Sequence, residues 1–346
     1  MTLINSCLEN IYFELTGSCN LLCKHCYVFT SKKPRERQDK LTQEIISSAI
    51  QDAKKLGLLQ ATFTGGEIFL RKDLRHILES ANEFGISLNL LTNLTIASKK
   101  EIDWLAKLNI NIISTSLDGL EEDHDKFRQR KGSYSKTLKN VHLLKERNIP
   151  VKVSVTIHDG NIGTADELFS QLDMAGIESS IAKVTPVGRG ALIHPYNPSE
   201  FDKKYTELLA KRLATKLKTY DKSRLTPPGQ STPTYCGVGE TMLYVMSDGV
   251  IGLCPTLNAM QGEKWTVGNL ISGDIGSAWK TARHRFQELR CGNAHACTFG
   301  NICRGGCRAN AYTNTGNETA CDSEMLSGFK SWAGGQSVET LIYKAV

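Results

Sequence analysis

Nowhere in the 346 residues does an apolar run approach the ~20 residues a membrane-crossing helix needs. The opening stretch, MTLINSCLENIYFEL, has neither a basic start nor an apolar segment leading to a small-residue cleavage site. No secretory signal is read, so the chain is expected in a reducing cytoplasm, with no membrane partner. Charge of one sign is scarce too, since 42 Lys and Arg against 36 Asp and Glu leave a net charge of only +6. One basic run, Lys32, Lys33, Arg35 and Arg37, reads as a solvated loop, and no RNA-binding module or basic face argues for nucleic acid. Cysteine is missing for more than two hundred residues between Cys26 and Cys236. Yet the chain has eleven cysteines, ten of them confined to residues 19–26 and 236–321. Without an export signal a disulfide framework is not expected, and clustering of this kind points to metal ligation. Cys7 lies outside both blocks and reads as a free or packed thiol.

What is present first is a β/α alternation. Apolar runs at Ile11–Leu15, Ala61–Thr64, Ser87–Leu91, Ile110–Ser116, Val151–Ile157 and Ser179–Val184 predict six strands. Helical patterns fall between them at 41–56, 73–84, 98–108, 135–147 and 163–175. In the first, Leu41, Ile45, Ala49, Ala53 and Leu56 recur at a helical period and Gly57 closes the run. Strands alternating with helices imply a parallel sheet. Six strands are too few for a closed eight-stranded barrel, so the fold expected is α/β, a partial (β/α)6 barrel of the TIM type. Reactive groups of such sheets gather at the C-terminal strand ends. Residues 196–225 read as a Lys-rich amphipathic helix, and Pro227-Pro228-Gly229 as a boundary. The expected domains are therefore 1–195, a bridging segment at 196–228, and a smaller cysteine-rich domain at 229–346.

Directly after the first strand come Cys19, Cys23 and Cys26, spaced C-x3-C-x2-C. Three thiolates on one loop do not close a four-ligand shell, but they suffice to hold three irons of a [4Fe–4S] cube and leave the fourth open. A zinc loop or a structural pocket is the plainer alternative for three cysteines alone. The run resembles that of the radical S-adenosylmethionine (SAM) superfamily, in which the three cysteines carry the cluster and SAM chelates the open iron. The residue before the third cysteine is usually aromatic in that family, and here it is His25. The second strand ends in Thr64-Gly65-Gly66-Glu67, and glycines let backbone approach a ligand closely. The resemblance implies that Gly65, Gly66 and Glu67 line the methionine end of SAM, although Ile68 stands where the family often has Pro.

Further polar residues sit at the predicted strand tips. Asn93, Ser116 and Asp118 suit ribose hydroxyls, the SAM carboxylate or substrate, and Asn and Asp are equally ordinary turn residues. His124-Asp125-Lys126-Phe127-Arg128, then Gly132-Ser133-Tyr134, resembles a loop of peptide-modifying members. That resemblance implies that Arg128 reaches the SAM carboxylate, where its fixed charge suits the task; a surface salt bridge is the alternative. Arg189, flanked by Gly188 and Gly190, reads as a turn or as a partner for an anionic substrate group.

The second cysteine block runs C-x12-G-x4-C from Cys236 through Gly249 to Cys254, then Cys291, Cys297, Cys303, Cys307 and Cys321. Met246-Ser247-Asp248-Gly249-Val250 is a hairpin signal. The block resembles the SPASM extension of radical SAM enzymes, whose seven cysteines bind auxiliary iron–sulfur clusters. The family's C-x2-C opening is widened to five residues here, which sets Cys291 apart. Carried over, the pattern gives one cluster to Cys236, Cys254 and Cys307 and another to Cys291, Cys297, Cys303 and Cys321. Seven thiolates fall one short of two full shells, so an open iron, a non-cysteine ligand or a [2Fe–2S] centre is implied; structural zinc is the alternative.

The family resemblance implies an oxidoreductase that cleaves SAM reductively to a 5′-deoxyadenosyl radical and modifies a ribosomally made peptide, by crosslink or oxidation. Its expected partners are that peptide, presented by a separate recognition protein because the barrel starts almost at once, and an electron donor such as flavodoxin or ferredoxin. The alternatives are oxidation of a small molecule such as a tetrapyrrole side chain, or formylglycine formation as in sulfatase maturation. From another class, a non-catalytic iron–sulfur electron carrier or sensor would need no SAM pocket.

Overall fold

The computed structural model describes residues 7–27, 38–193, 197–219, 237–289, 291–293, 296–297, 303 and 305–333. Six parallel strands follow one another in sheet order: β1 (Asn10–Glu14), β2 (Gln60–Thr64), β3 (Ser87–Leu91), β4 (Ile110–Ser116), β5 (Val151–Ile157) and β6 (Glu178–Lys183). The helices between them are α1 (Gln43–Lys54), α2 (Leu74–Glu83), α3 (Lys99–Leu105), α4 (Glu121–Arg128), α5 (Ser133–Glu146) and α6 (Ala165–Met174). Each β/α crossover lays its strand beside the previous one, as a right-handed connection does. Alternate strand residues are fully buried, Ile11 and Phe13 on β1, Ala61 and Phe63 on β2, Leu88 and Leu90 on β3. Phe13 and Phe63 stack with ring centroids 5.8 Å apart. The helices bury matching stripes, Ile46, Ala49, Ile50 and Ala53 on α1 and Leu74, Ile77, Leu78 and Ala81 on α2. Removing such area from water at ~25 cal/mol per Å² is what holds the layers together.

The intervening strand positions carry a polar ladder near the strand starts. Thr62 Oγ1 donates to Asn10 Oδ1 at 3.1 Å, and Asn89 Nδ2 donates to Gln60 Oε1 and Thr62 Oγ1 at 3.1 and 3.2 Å. Asn111 Nδ2 continues it to Asn89 Oδ1 at 2.9 Å. Thr62 and Asn89 are buried, so each needs a partner, and the neighbouring strand supplies it.

On its other side β1 pairs in parallel with β7 (Met242–Val245), and the antiparallel strands β8 (Val250–Gly252) and β9 (Thr266–Asn269) complete a nine-stranded sheet. The hairpin expected at 246–250 is the β7–β8 turn, with Gly249 at φ 89°. By its contacts the chain divides into Met1–Tyr196 with Thr241–Ala282, and Asn197–Glu240 with Arg283–Val346. The stretch 229–346, expected as one domain, is thus shared between two units, because β7 hydrogen-bonds to β1. The second unit contains α7 (Pro198–Thr219), a helix within the stretch 196–225 that was expected to be helical. The basic run at 32–37 and Pro227-Pro228-Gly229 lie outside the described residues.

Candidate cluster and cofactor site

The cysteine loop leaves β1 at its C-terminal end and is pinned from three directions. Gly66 and Glu67 N–H groups donate to the Thr16 and Ser18 carbonyls, both at 2.8 Å. From the far edge of the sheet, Arg189 donates Nε to the Cys23 carbonyl at 2.8 Å and its backbone N–H to that of Cys26 at 2.9 Å. Lys24 N–H donates to the Phe127 carbonyl at the end of α4 at 3.0 Å. Arg189 therefore clamps the loop, which neither sequence reading of it anticipated. The Gly-Gly pair is a packing requirement: a Cβ on Gly66 would lie 2.1 Å from the Ser18 carbonyl oxygen, and one on Gly65, at φ 147°, 2.5 Å from that of Thr16. Gly66→Ala is expected to displace the loop, and iron and sulfide per chain after anaerobic reconstitution should fall accordingly. Wild-type content in that variant would show the contact to be dispensable.

Cys19, Cys23 and Cys26 are free thiols. Burial pushes the Cys19 thiol up to about 12; the Leu21 N–H opposes this, and charge on Cys23 and Cys26 adds to it. Burial likewise raises Cys23, opposed chiefly by the Arg128 guanidinium. Without metal these groups stay protonated, and iron binding would release the protons. Among the described residues no three His, Cys, Asp or Glu side chains converge on a point suited to one ion. A cube instead places each thiolate on its own iron, so the donor set fits a cluster better than a single ion. The sulfurs also meet hydrogen-bond donors, Leu21 N at 3.4 Å and Asn93 Nδ2 at 4.0 Å from Cys19 Sγ, and Arg128 Nη1 at 3.7 Å from Cys23 Sγ.

The polar strand tips largely brace one another. Glu67 is fully buried; its Oε1 accepts from Phe69 N and Thr92 Oγ1, at 3.1 and 2.7 Å, and Oε2 from Asn93 N at 2.7 Å. Burial pushes its carboxyl up against the pull of those three donors. Asn93 Nδ2 reaches Asn20 Oδ1 at 2.9 Å, and its Oδ1 accepts from Thr95 N and Oγ1 at 2.9 and 2.5 Å. Asp118 is fully buried; its Oδ2 accepts from Arg128 Nε at 2.6 Å and its Oδ1 from Thr156 N at 2.9 Å. Burial acts to raise this carboxyl, but Arg128, His25 and His124 outweigh it and hold it well below the usual carboxylate range. Arg128 thus forms a buried pair, not the surface salt bridge that was one reading of it. Ser116 is half-buried at the end of β4, in register with Ser154 of β5.

The sequence reading missed an aromatic stack. The His25 ring lies on Phe127 (4.7 Å between centroids, 4° between planes), and Phe127 lies on His158 (3.7 Å, 15°). Burial pushes His25 and His124 down to about 4, so both are neutral at pH 7. Among the described residues His25 Nδ1, His124 Nε2 and His158 Nε2 are buried with no hydrogen-bond partner. The His-Asp-x-Phe-Arg pattern carried Phe127 and His124 in plain view, but not the ring they would meet.

Of the second block, Cys254 belongs to the barrel unit, at the N-cap of α8 (Pro255–Gln261). It lies near Tyr27, whose phenol is raised first by burial, then by Glu14, Cys26 and Cys254; Tyr244 bonds Tyr27 and donates to Glu14 Oε2 at 3.0 Å. In the other unit Cys321 feels Cys291 and Cys297, and Cys303 feels Cys321 and Cys291. These four are the set carried over for the second auxiliary cluster. Cys307, at the N-cap of α9 (Arg308–Thr315) with its N–H on Asp322 Oδ2 at 2.8 Å, stands apart from them. Cys236 lies outside the described residues.

A parallel β/α sheet with three cysteines on the loop past its first strand is an arrangement suited to a cluster-bearing α/β enzyme. Residues 13–170 match the model of the Radical SAM superfamily. This stretch is a radical SAM domain, of a family that uses a [4Fe–4S] cluster and SAM. Over 308 residues, 85% of its length, the chain is 28% identical to the antilisterial bacteriocin subtilosin biosynthesis protein AlbA of Bacillus subtilis. The match spans 66% of AlbA, just short of two thirds. An AdoMet-dependent heme synthase of Methanosarcina barkeri is 24% identical over 335 residues, covering 89% of this chain and 93% of that protein. The fold is shared with SuiB of Streptococcus suis bound to SAM, with a TM-score of 0.71 at 18% identity over 92% of this chain and 77% of SuiB. No helix among the described residues is long and apolar enough to cross a membrane.

Proposed function

We propose that the chain modifies a ribosomally made peptide through radical SAM chemistry. The observation that carries this reading is the similarity to AlbA, a bacteriocin biosynthesis protein, over 85% of the chain. A second SuiB structure of the same fold holds the precursor peptide SuiA. In this reading Cys19, Cys23 and Cys26 hold the cluster on a loop fixed by Gly65, Gly66, Arg189 and the end of α4. When bound and reduced, the cluster supplies the electron that breaks the sulfonium C–S bond of SAM. His25 and Phe127 wall the loop with aromatic surface and keep water from it, and Asn93 and Ser116 face the cofactor from neighbouring strand tips. Cys291, Cys297, Cys303 and Cys321 would hold an auxiliary cluster, which would supply a place for the electron left on product. A low-potential donor of the flavodoxin or ferredoxin type and a peptide-presenting protein are the partners, in the cytoplasm.

The heme synthase, matched over 93% of its length, favours a second reading in which the substrate is a tetrapyrrole. Anaerobically reconstituted enzyme with dithionite and SAM should be offered short peptides encoded beside its gene and, separately, carboxylated tetrapyrroles. A peptide that loses two hydrogens establishes the first reading. Decarboxylation of the tetrapyrrole with the peptides unchanged establishes the second. Absence of 5′-deoxyadenosine under every condition sinks both.

A further inference from the structure

The Arg128 guanidinium does not lie open to an incoming carboxylate. Its side chain is 10% exposed, and Nε is committed to Asp118 Oδ2 at 2.6 Å. On the other arm, Nη1 points at Cys23 Sγ from 3.7 Å. Asp118 is itself held by Thr156 N at Oδ1, by its own N–H on His124 Nδ1 at 3.0 Å and by Asn161 Nδ2 on its carbonyl at 3.1 Å. The guanidinium is thereby locked on the thiol, and the fork that would chelate a carboxylate is already divided between two partners. We infer that Arg128 tunes the SAM-binding cluster, donating a charged hydrogen bond to the Cys23 thiolate and raising the potential at which that cluster accepts its electron. This rests on the reading of Cys19, Cys23 and Cys26 as cluster ligands.

The physics has a definite sign. Reduction adds one electron, taken from an external low-potential donor, to a centre whose thiolates already carry negative charge. A fixed cation hydrogen-bonded to one sulfur favours the more negative state, and hydrogen bonds to sulfur are a recognised control of cluster potential. Arg never gives up its proton in this range, so the effect is present at every working pH. Asp118 offsets part of the charge at longer range but leaves the directional N–H to sulfur contact intact.

The test is an anaerobic redox titration of the full chain, following the EPR signal that changes when SAM is added. For Arg128→Gln the reduced-to-oxidised ratio at a fixed poise should fall roughly tenfold, equivalent to about 59 mV for one electron. Arg128→Lys, which keeps the charge, should recover part of that loss. The double variant R128Q/D118N leaves no unpaired buried charge and covers the case in which the single variant fails to fold; its midpoint should also fall, by less. SAM affinity should be unchanged in all three. Wild-type midpoints in both the single and the double Gln variants, or weakened SAM binding with no midpoint shift, would return Arg128 to the SAM carboxylate and overturn the inference. A wild-type chain without any SAM-sensitive cluster signal would overturn the ligand assignment instead.

Discussion

Replacing Cys19, Cys23 and Cys26 together by Ala is expected to abolish 5′-deoxyadenosine formation and to lower iron by about four atoms per chain, leaving the remainder on the C-terminal cysteines. Among the described residues, no side chain hydrogen-bonded to these sulfurs could substitute for the lost ligands. Asn93 and Arg128, which approach the sulfurs, offer hydrogen-bond donors and no anionic atom. Each single Cys→Ala variant should lose nearly as much activity as the triple, because the three thiolates act as one unit and their effects are not additive. The measurement is 5′-deoxyadenosine by chromatography after dithionite and SAM, with iron and sulfide assayed on the same samples. Undiminished 5′-deoxyadenosine in the triple variant would remove these cysteines from the site. Iron falling to zero in it would show that the C-terminal cysteines bind none.

The six barrel strands and the helices α1, α2, α3, α5 and α6 were legible because each is a self-contained pattern, an apolar run or a helical stripe, in strict alternation. The pairing of β7 with β1 was not. MLYV reads as half of a local hairpin, and nothing in its own residues names a parallel partner more than two hundred residues earlier. The helix α4 was hidden for another reason. EEDHDKFR is almost wholly polar, and only the fold reveals that His124, Phe127 and Arg128 point inward. At the site the cysteine spacing carried its chemistry openly, since spacing on one loop is sequence information. The partners of Arg128 and Arg189 depend on which strand tips become neighbours. Sequence gives the charge of each guanidinium but not whether a thiol, a carboxylate or a carbonyl will face it. Glu67 is intermediate: the Gly-Gly-Glu turn was visible, yet its carboxylate braces the ends of β2 and β3.

Asp118→Ala is expected to cost about 3–5 kcal/mol of stability, because it strands a buried guanidinium without its counter-charge. Arg128 cannot neutralise itself by losing a proton, and Thr156 N loses its side-chain acceptor as well. For a unit of this size the loss corresponds to a fall in Tm of roughly 6–20 °C. The companion prediction is a pH dependence with a definite sign. Burial acts to raise the Asp118 carboxyl and Arg128 overrides it, so the folded-state value lies below the ordinary ~3.9 of an unfolded aspartate. A carboxylate depressed by folding contributes stability that is fully present above that ordinary value and is lost as pH falls through the folded one. Metal-free wild-type chain should therefore lose stability progressively below about pH 4, and R128M/D118N, which removes both charges, should lose less over the same window. Thermal unfolding followed by circular dichroism at pH 7 and in steps down to pH 3 gives both results. Equal Tm for Asp118→Ala and wild type at pH 7 would mean that the pair is not buried as described, and an acid arm unchanged in R128M/D118N would assign that arm to other carboxylates.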